Sequence, residues 1–211
     1  MPDAKLCRMK FLLFFILLIV CVASSLHAEP QISVYFSPHG GCTEAIVQAI
    51  GHSKKSILVE AYSFTSTPIA KALIAAHQRG AQILVLLDRS ELSDPASVAP
   101  SLHRSGIPLF IDSTFKIAHS KVMILDLSTV ITGSFNFTKS AETSNSENLL
   151  VISDDSALVN KYSTVWKQHR ALSMPYSGQR VSLRKNHHHK AFHTPLNPLE
   201  ILKNFFHPHT P

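Results

Sequence analysis

Short apolar runs and amphipathic stretches alternate along the chain. Residues 32–36 (ISVYF) read as a strand, and 43–53 as a helix with Thr43 as its N-cap and Ala45, Ile46, Ala49 and Ile50 on one face. The run SILVEAYSF (56–64) is apolar enough for a strand covered on both faces. Thr67-Pro68 opens a helix over 68–79 that Gly80 closes, and AQILVLLD (81–88) is a further buried strand. Residues 94–105 predict a third helix and IPLFID (107–112) a fourth strand. Strand, helix, strand, helix, strand implies parallel pairing with helices over the sheet.

Beyond residue 112 the rhythm changes. Two strand-like runs, 117–125 and 130–137, are separated by only four residues, 126–129. So short a loop demands a hairpin, and the sheet is therefore expected to be mixed. ENLLVIS (147–153) adds a strand, and 156–169 a closing helix with Leu158, Val159, Tyr162, Val165 and Trp166 turned inward. The predicted fold class is α/β, a mixed β-sheet flanked by helices on both faces.

The two ends differ from this pattern. Lys5, Arg8 and Lys10 precede an apolar run over 11–23, too short for a comfortable membrane span, and small residues lead to Ala28. Residues 1–28 thus predict a secretory signal, cut after Ala28, with an uncleaved membrane anchor as the other reading. Periplasmic or secreted localisation follows from the first. Residues 29–175 form the predicted catalytic domain. From 176 to 211 the chain is rich in Pro and His, including His187, His188, His189, His193, His207 and His209, and predicts a flexible extension.

Loss of residues 1–28 leaves 17 Lys/Arg against 13 Asp/Glu, a formal +4. That surplus favours anionic partners without choosing between nucleic acid and phospholipid surfaces. It also leaves Cys42 as the one cysteine, which excludes an intrachain disulfide and predicts a buried, inert thiol.

The chemistry lies in the hairpin, AHSKVMILDLSTVITGSFNF (118–137). With 126–129 as its loop, Leu125 faces Val130, Lys121 faces Ser134 and His119 faces Asn136. Residues two apart on a strand share a face, so this register gathers His119, Lys121, Ser134 and Asn136 into one polar quartet. A neutral imidazole can attack phosphorus, while an ammonium and a carboxamide N–H hold the non-bridging oxygens. No acidic cluster with metal-ligand spacing accompanies them, so neither metal nor cofactor is expected. Glu147, at the start of the next strand, is the available acceptor for the second ring nitrogen of His119. Asp126 sits in the turn, where Asp is common for its own backbone hydrogen bonds.

His119-x-Lys121, four residues, Asp126, six residues, then Gly133-Ser134 resembles the HKD motif of the phospholipase D superfamily. GSFNFTKSAETSNSENLLVI further resembles its small bacterial endonuclease branch, the Nuc-like proteins, over roughly residues 31–170. Five fixed positions at fixed spacing arise by chance on the order of once per million starting points at ordinary residue frequencies, so the match is specific. The resemblance implies a phosphohistidine intermediate on His119, with Lys121 and Asn136 on the phosphate. Ser134 and Glu147 match the supporting positions, Gly133 is structural, and Asp126 is carried with the catalytic set. Only one motif is present: His52-Ser53-Lys54 lacks the Asp, and His188-x-Lys190 has Pro195 in its place. The resemblance therefore implies a homodimer with the active site at its twofold interface.

Singly, His119 and Lys121 would read as a satisfied strand histidine and a solvated lysine, and Gly133 as a bulge or close-approach position. Phe115, Phe135 and Phe137 read as core before they read as base- or lipid-binding groups. Glu60 and Asp88 read as strand-end groups of no assigned role. The expected function is a metal-independent phosphodiesterase, a non-specific endonuclease acting on DNA or RNA. The alternatives are a phospholipase D that hydrolyses headgroup esters and a silent nucleic-acid-binding module. The full His-Lys-Asn set argues against the last.

Overall fold

The computed structural model describes residues 29–178 and, ahead of them, Arg8 alone. The rest of the predicted signal, and the predicted extension beyond residue 178, lie outside the described residues. Eight strands form one sheet: β1 (Gln31–Ser37), β2 (Ser56–Ala61), β3 (Gln82–Asp88), β4 (Leu109–Asp112), β5 (Lys121–Leu125), β6 (Thr129–Gly133), β7 (Glu147–Ser153) and β8 (Met174–Pro175). Their order is β1-β7-β6-β5-β2-β3-β4-β8. The β2-β3-β4 unit is parallel and every other pairing is antiparallel, so the sheet is mixed as the short hairpin loop requires.

Helices cover both faces. Against one pack α1 (Cys42–His52), α2 (Thr67–Gln78) and α3 (Ala99–Arg104), which bury Ile46, Leu73 and Leu102 with Val59, Val85 and Met123 of the sheet. The other carries α5 (Ser156–Leu172), whose Val159 and Trp166 meet Leu86, Phe110, Ile124 and Val130. The Trp166 indole N–H also donates to the Val59 carbonyl at 3.0 Å, which satisfies the ring's polar edge inside the core. The inward face of α5 is Val159, Ser163 and Trp166, with Leu158 and Tyr162 half-buried; Val165 points outward, against expectation. The Ser163 hydroxyl donates to the Val159 carbonyl at 2.7 Å, and so a polar residue occupies that inward position without an unpaired group.

Two short elements lack periodicity strong enough to announce them: α4 (Lys139–Thr143), capped by the Thr138 hydroxyl on the Ala141 N–H, and β8. α4 replaces the predicted Thr43 cap. Its Glu142 accepts from the backbone N–H groups of Gly41 and Thr43, at 3.2 and 2.7 Å, and so closes the start of α1 from a distant part of the chain. Cys42 is fully buried there, and burial, reinforced by Glu142, pushes its thiol up to about 11. The thiol is buried, as expected. Tyr176, which composition puts at the start of the extension, packs its ring on His103 and donates its N–H to Leu109.

The hairpin register differs from expectation by one residue. Leu125 pairs with Thr129, and the turn is Asp126, Leu127 and Ser128. Asp126 and Leu127 both take φ of +53°, a conformation Asp tolerates and exposed Leu127 accepts at a cost of about 1–2 kcal/mol. Asp126 offsets that cost. Its carboxylate accepts from the N–H groups of Lys54, Lys55 and Ser56 and from the Ser53 hydroxyl, all within 2.9 Å. Burial opposes its ionisation, yet those four donors prevail and lower the carboxyl to about 2.

Replacement by Asp126→Ala is expected to lower the unfolding free energy by on the order of 3 kcal/mol, read by urea denaturation. A carboxyl depressed on folding stabilises above its unfolded value near 3.8 and loses that contribution as pH falls toward 2. The variant should therefore lose this acid-dependent part of its stability. Coincident melting curves at pH 7 would contradict the role.

Candidate active site

One rim of the sheet gathers the ends of six strands. β2 ends at Ala61 where β5 begins at Lys121, its pairing partner; β6 ends at Gly133; and β7 begins at Glu147 opposite Ser37, the last residue of β1. β3 ends on the same rim at Asp88. The predicted site residues other than Asp126 fall at these ends: His119 two residues before β5, Lys121 its first residue, Ser134 and Asn136 just past β6, and Glu147 at the head of β7. Strand ends leave side chains free of the ladder yet fixed by it.

Residues 113–120, predicted in part as strand, approach this rim as an irregular segment. Among the bonds that fasten it, Asp88 accepts from the Ala118 N–H at 2.7 Å, and Tyr62 donates its N–H to the Ser120 carbonyl at 2.9 Å. Phe115 lies edge-on to His169 of α5, which is itself paired to buried Glu60 at 3.0 Å. That hydrogen bond raises the His169 pKa above its ordinary value, against the opposing effect of burial. Glu60 and Asp88 thus hold the approach to His119 in place.

His119 itself is exposed. Its ring stands 4.5 Å from that of Tyr62, and among the described residues its side chain makes no hydrogen bond. Lys121 is the reverse: only 6% exposed, with its ammonium donating to the His119 carbonyl at 2.7 Å and lying 5.1 Å from the Tyr62 ring centroid. Burial lowers the Lys121 pKa, and the Glu147 carboxylate partly restores it. A buried ammonium beside an exposed imidazole is an asymmetric pair: the imidazole is free to react, and the cation is fixed and partly desolvated.

Gly133, Ser134 and Asn136 reach the site through a break in the ladder. Gly133 takes φ of +149°, and a Cβ there would stand 2.3 Å from the Asn148 carbonyl oxygen, so only glycine fits. Ser134 and Phe135 both donate their N–H to that carbonyl, which leaves Ser134 displaced from the strand. Its hydroxyl donates to Glu147 at 2.6 Å and accepts from the Asn148 N–H at 3.1 Å. The half-buried Asn136 has its carboxamide oxygen enclosed without a partner among the described residues. An orphaned buried acceptor costs on the order of 1–3 kcal/mol.

The predicted quartet assembles in part, and not through facing pairs. His119 and Lys121 are together; Ser134 and Glu147 are together, and the charge of Glu147 acts on Lys121. Simple facing of Lys121 with Ser134, and of His119 with Asn136, does not occur, because pairing is shifted by one and ends before those residues. Glu147 accepts from Ser134 and Asn145 instead of from His119. Asp126 is at the far end of β5 and belongs to the turn, not to the site. Tyr62 is the site residue that sequence reasoning missed: within SILVEAYSF it reads as one more buried strand position.

Among the described residues no group of three or more His, Cys, Asp or Glu side chains converges as a metal site.

Residues 46–170 match the family described as "Cardiolipin synthase, PLD-like domain". A phospholipase D from Rickettsia bellii is 42% identical over 68% of this chain and 71% of its own length. The solved structure of the phospholipase D family member Nuc from Salmonella typhimurium is 43% identical, covers 70% of this chain and 99% of its own, and superposes with a TM-score of 0.68. A mitochondrial cardiolipin hydrolase from Xenopus laevis is 30% identical over 73% of each chain. With the motif's His119 and Lys121 joined at the sheet rim, these likenesses assign the chain to the phospholipase D superfamily. It is a phosphodiester hydrolase of the single-domain Nuc-like branch.

Proposed function

We propose that the protein is a metal-independent endonuclease that cleaves DNA or RNA through a phosphohistidine on His119. The observation that carries this reading is the pairing of an exposed, unencumbered His119 with the buried Lys121 ammonium. In the first step a ring nitrogen of His119 attacks phosphorus, the P–O bond to the leaving group breaks, and the leaving oxygen takes a proton from His119 of the partner subunit. In the second, water attacks phosphorus, gives its proton to His119 of the partner subunit, and the P–N bond breaks. Lys121 stabilises the charge gathered on the non-bridging oxygens in both transition states, joined by Asn136. The Ser134–Glu147 pair positions this end of the sheet.

Two histidines are needed and each chain supplies one, so the active form is a twofold homodimer. An exposed apolar stripe supports it: Ile32, Val34 and Phe36 lie along edge strand β1, which ends beside Glu147 at the site's rim. A bare apolar edge is a surface that another chain covers. Equimolar mixing of wild type with His119→Ala, followed by subunit exchange, should leave about one quarter of the all-wild-type rate for a shared site. Independent monomers would leave roughly half. The reading includes export, periplasmic or secreted, supported by the charged-then-apolar pattern of residues 1–28.

Substrate is tested by incubating the purified protein in excess EDTA with plasmid DNA and, separately, with phosphatidylcholine vesicles. The nuclease reading expects nicking and linearisation of the plasmid. Headgroup release with intact plasmid would make the protein a phospholipase D, the activity for which its Rickettsia relatives are named.

A further inference from the structure

We infer that a cleft beside His119 binds the phosphate next to the scissile one in a polynucleotide strand. This rests on the nuclease reading above. The cleft has a volume of about 520 Å³, within the range of small-ligand sites, and Tyr62 is one of its walls. That ring also lies against His119 and Lys121, so whatever enters the cleft is continuous with the reacting centre.

Two cations stand at its margin, Arg89 just past β3 and Lys116 on the irregular segment. The Arg89 guanidinium donates one N–H to the Lys116 carbonyl at 3.0 Å, which ties the two segments and sets the fork in place. The other N–H donors of the fork, and the Lys116 ammonium, are left on the exposed side. The carboxylate that lines the cleft, Asp88, is 3% exposed and already accepts from the N–H groups of Ser90 and Ala118. Glu91, the next acid along, turns inward onto the Phe64 N–H and the Ser97 hydroxyl. A net positive surface therefore faces the opening.

The rest of the lining is the Tyr62 ring, Leu92 and Ile117, the last 51% exposed, with Ser90 and Ser93. Paired cations beside flat and apolar surface suit a strand that carries both phosphates and bases, which stack without regard to sequence. A phosphatidylcholine headgroup ester brings one phosphate, to His119, and would leave Arg89 and Lys116 without a counter-charge from the same molecule. The geometry thus favours a chain of phosphates over a single one.

The experiment compares the Arg89→Gln/Lys116→Gln protein with wild type on two substrates: a single-stranded decanucleotide and bis(p-nitrophenyl) phosphate, whose one phosphate is the scissile one. The expected result is a KM for the oligonucleotide raised on the order of tenfold relative to any change on the small diester. The salt dependence of that KM should also become shallower, by a log–log slope of about 1. Equal losses on both substrates, or an unchanged oligonucleotide KM, would overturn the subsite while leaving the nuclease standing. A wild type that hydrolyses the small diester and vesicles but no oligonucleotide would overturn the nuclease reading and the subsite together. Circular dichroism of the variant separates a binding loss from a folding one, and the single Lys116→Gln, whose side chain makes no hydrogen bond among the described residues, repeats the test with the segment intact.

Discussion

Turnover by His119→Ala is expected to fall on the order of 10⁴-fold or more, because covalent catalysis has no second nucleophile to fall back on. In the folded chain the imidazole is exposed and touches only the Tyr62 ring, so its removal opens no cavity and breaks no hydrogen bond among the described residues. The melting temperature should stay within a few degrees of wild type. Rates on a chromogenic diester with a parallel thermal melt make the check. Activity within tenfold of wild type would remove His119 from the mechanism, whereas joint loss of activity and fold would mean that its role had been misjudged as purely chemical.

Lys121 is expected to show the second largest effect. A fixed, desolvated ammonium aimed at developing charge is worth on the order of 10²–10³ in kcat when removed. Lys121→Met preserves volume, and because a buried charge is costly to hold, the folded state should not suffer. The loss should fall on kcat more than on KM. A pH profile gives a second reading. Burial lowers the Lys121 pKa, and only its protonated form stabilises the phosphate oxygens. As pH rises through that lowered value, wild-type kcat should decline earlier than an ordinary lysine, which titrates near 10.4, would dictate. Lys121→Met should lack that decline. A change below about threefold in kcat would mean that the ammonium serves only the His119 carbonyl.

The sheet and its flanking helices were largely legible from hydrophobic period alone, since 56–61 and 82–88 are apolar runs that fold into the buried middle of the sheet. Whether the next element is hairpin or crossover followed from loop length. What resisted reading depended on single residues acting at a distance. The register turned on whether the loop held three residues or four, and a two-residue φ of +53° at Asp126 and Leu127 decided it. No pattern reveals that Glu142 caps a helix almost a hundred residues earlier, or that Ser163 rather than Val165 faces the core. At the site, His119 and Lys121 stand side by side at the sheet rim as the motif spacing suggests, Glu147 holds Ser134 in place of His119, and Asp126 keeps to its turn. Spacing records which residues travel together, and a residue kept to fasten a turn travels with the nucleophile just as well. Tyr62 carried no signal, because a tyrosine at the end of a buried strand is the commonest of residues until the loop opposite brings a histidine to its ring.

The central claim is that phosphorus is carried for a time on His119. Rapid acid-free quenching of the purified protein with a ³²P-labelled oligonucleotide, followed by peptide mapping, tests it most directly. The expected result is a base-stable, acid-labile adduct on the peptide that contains His119, absent from His119→Ala. Full turnover with no adduct, together with inversion of configuration at a chiral phosphorus, would show that water attacks directly and would contradict it.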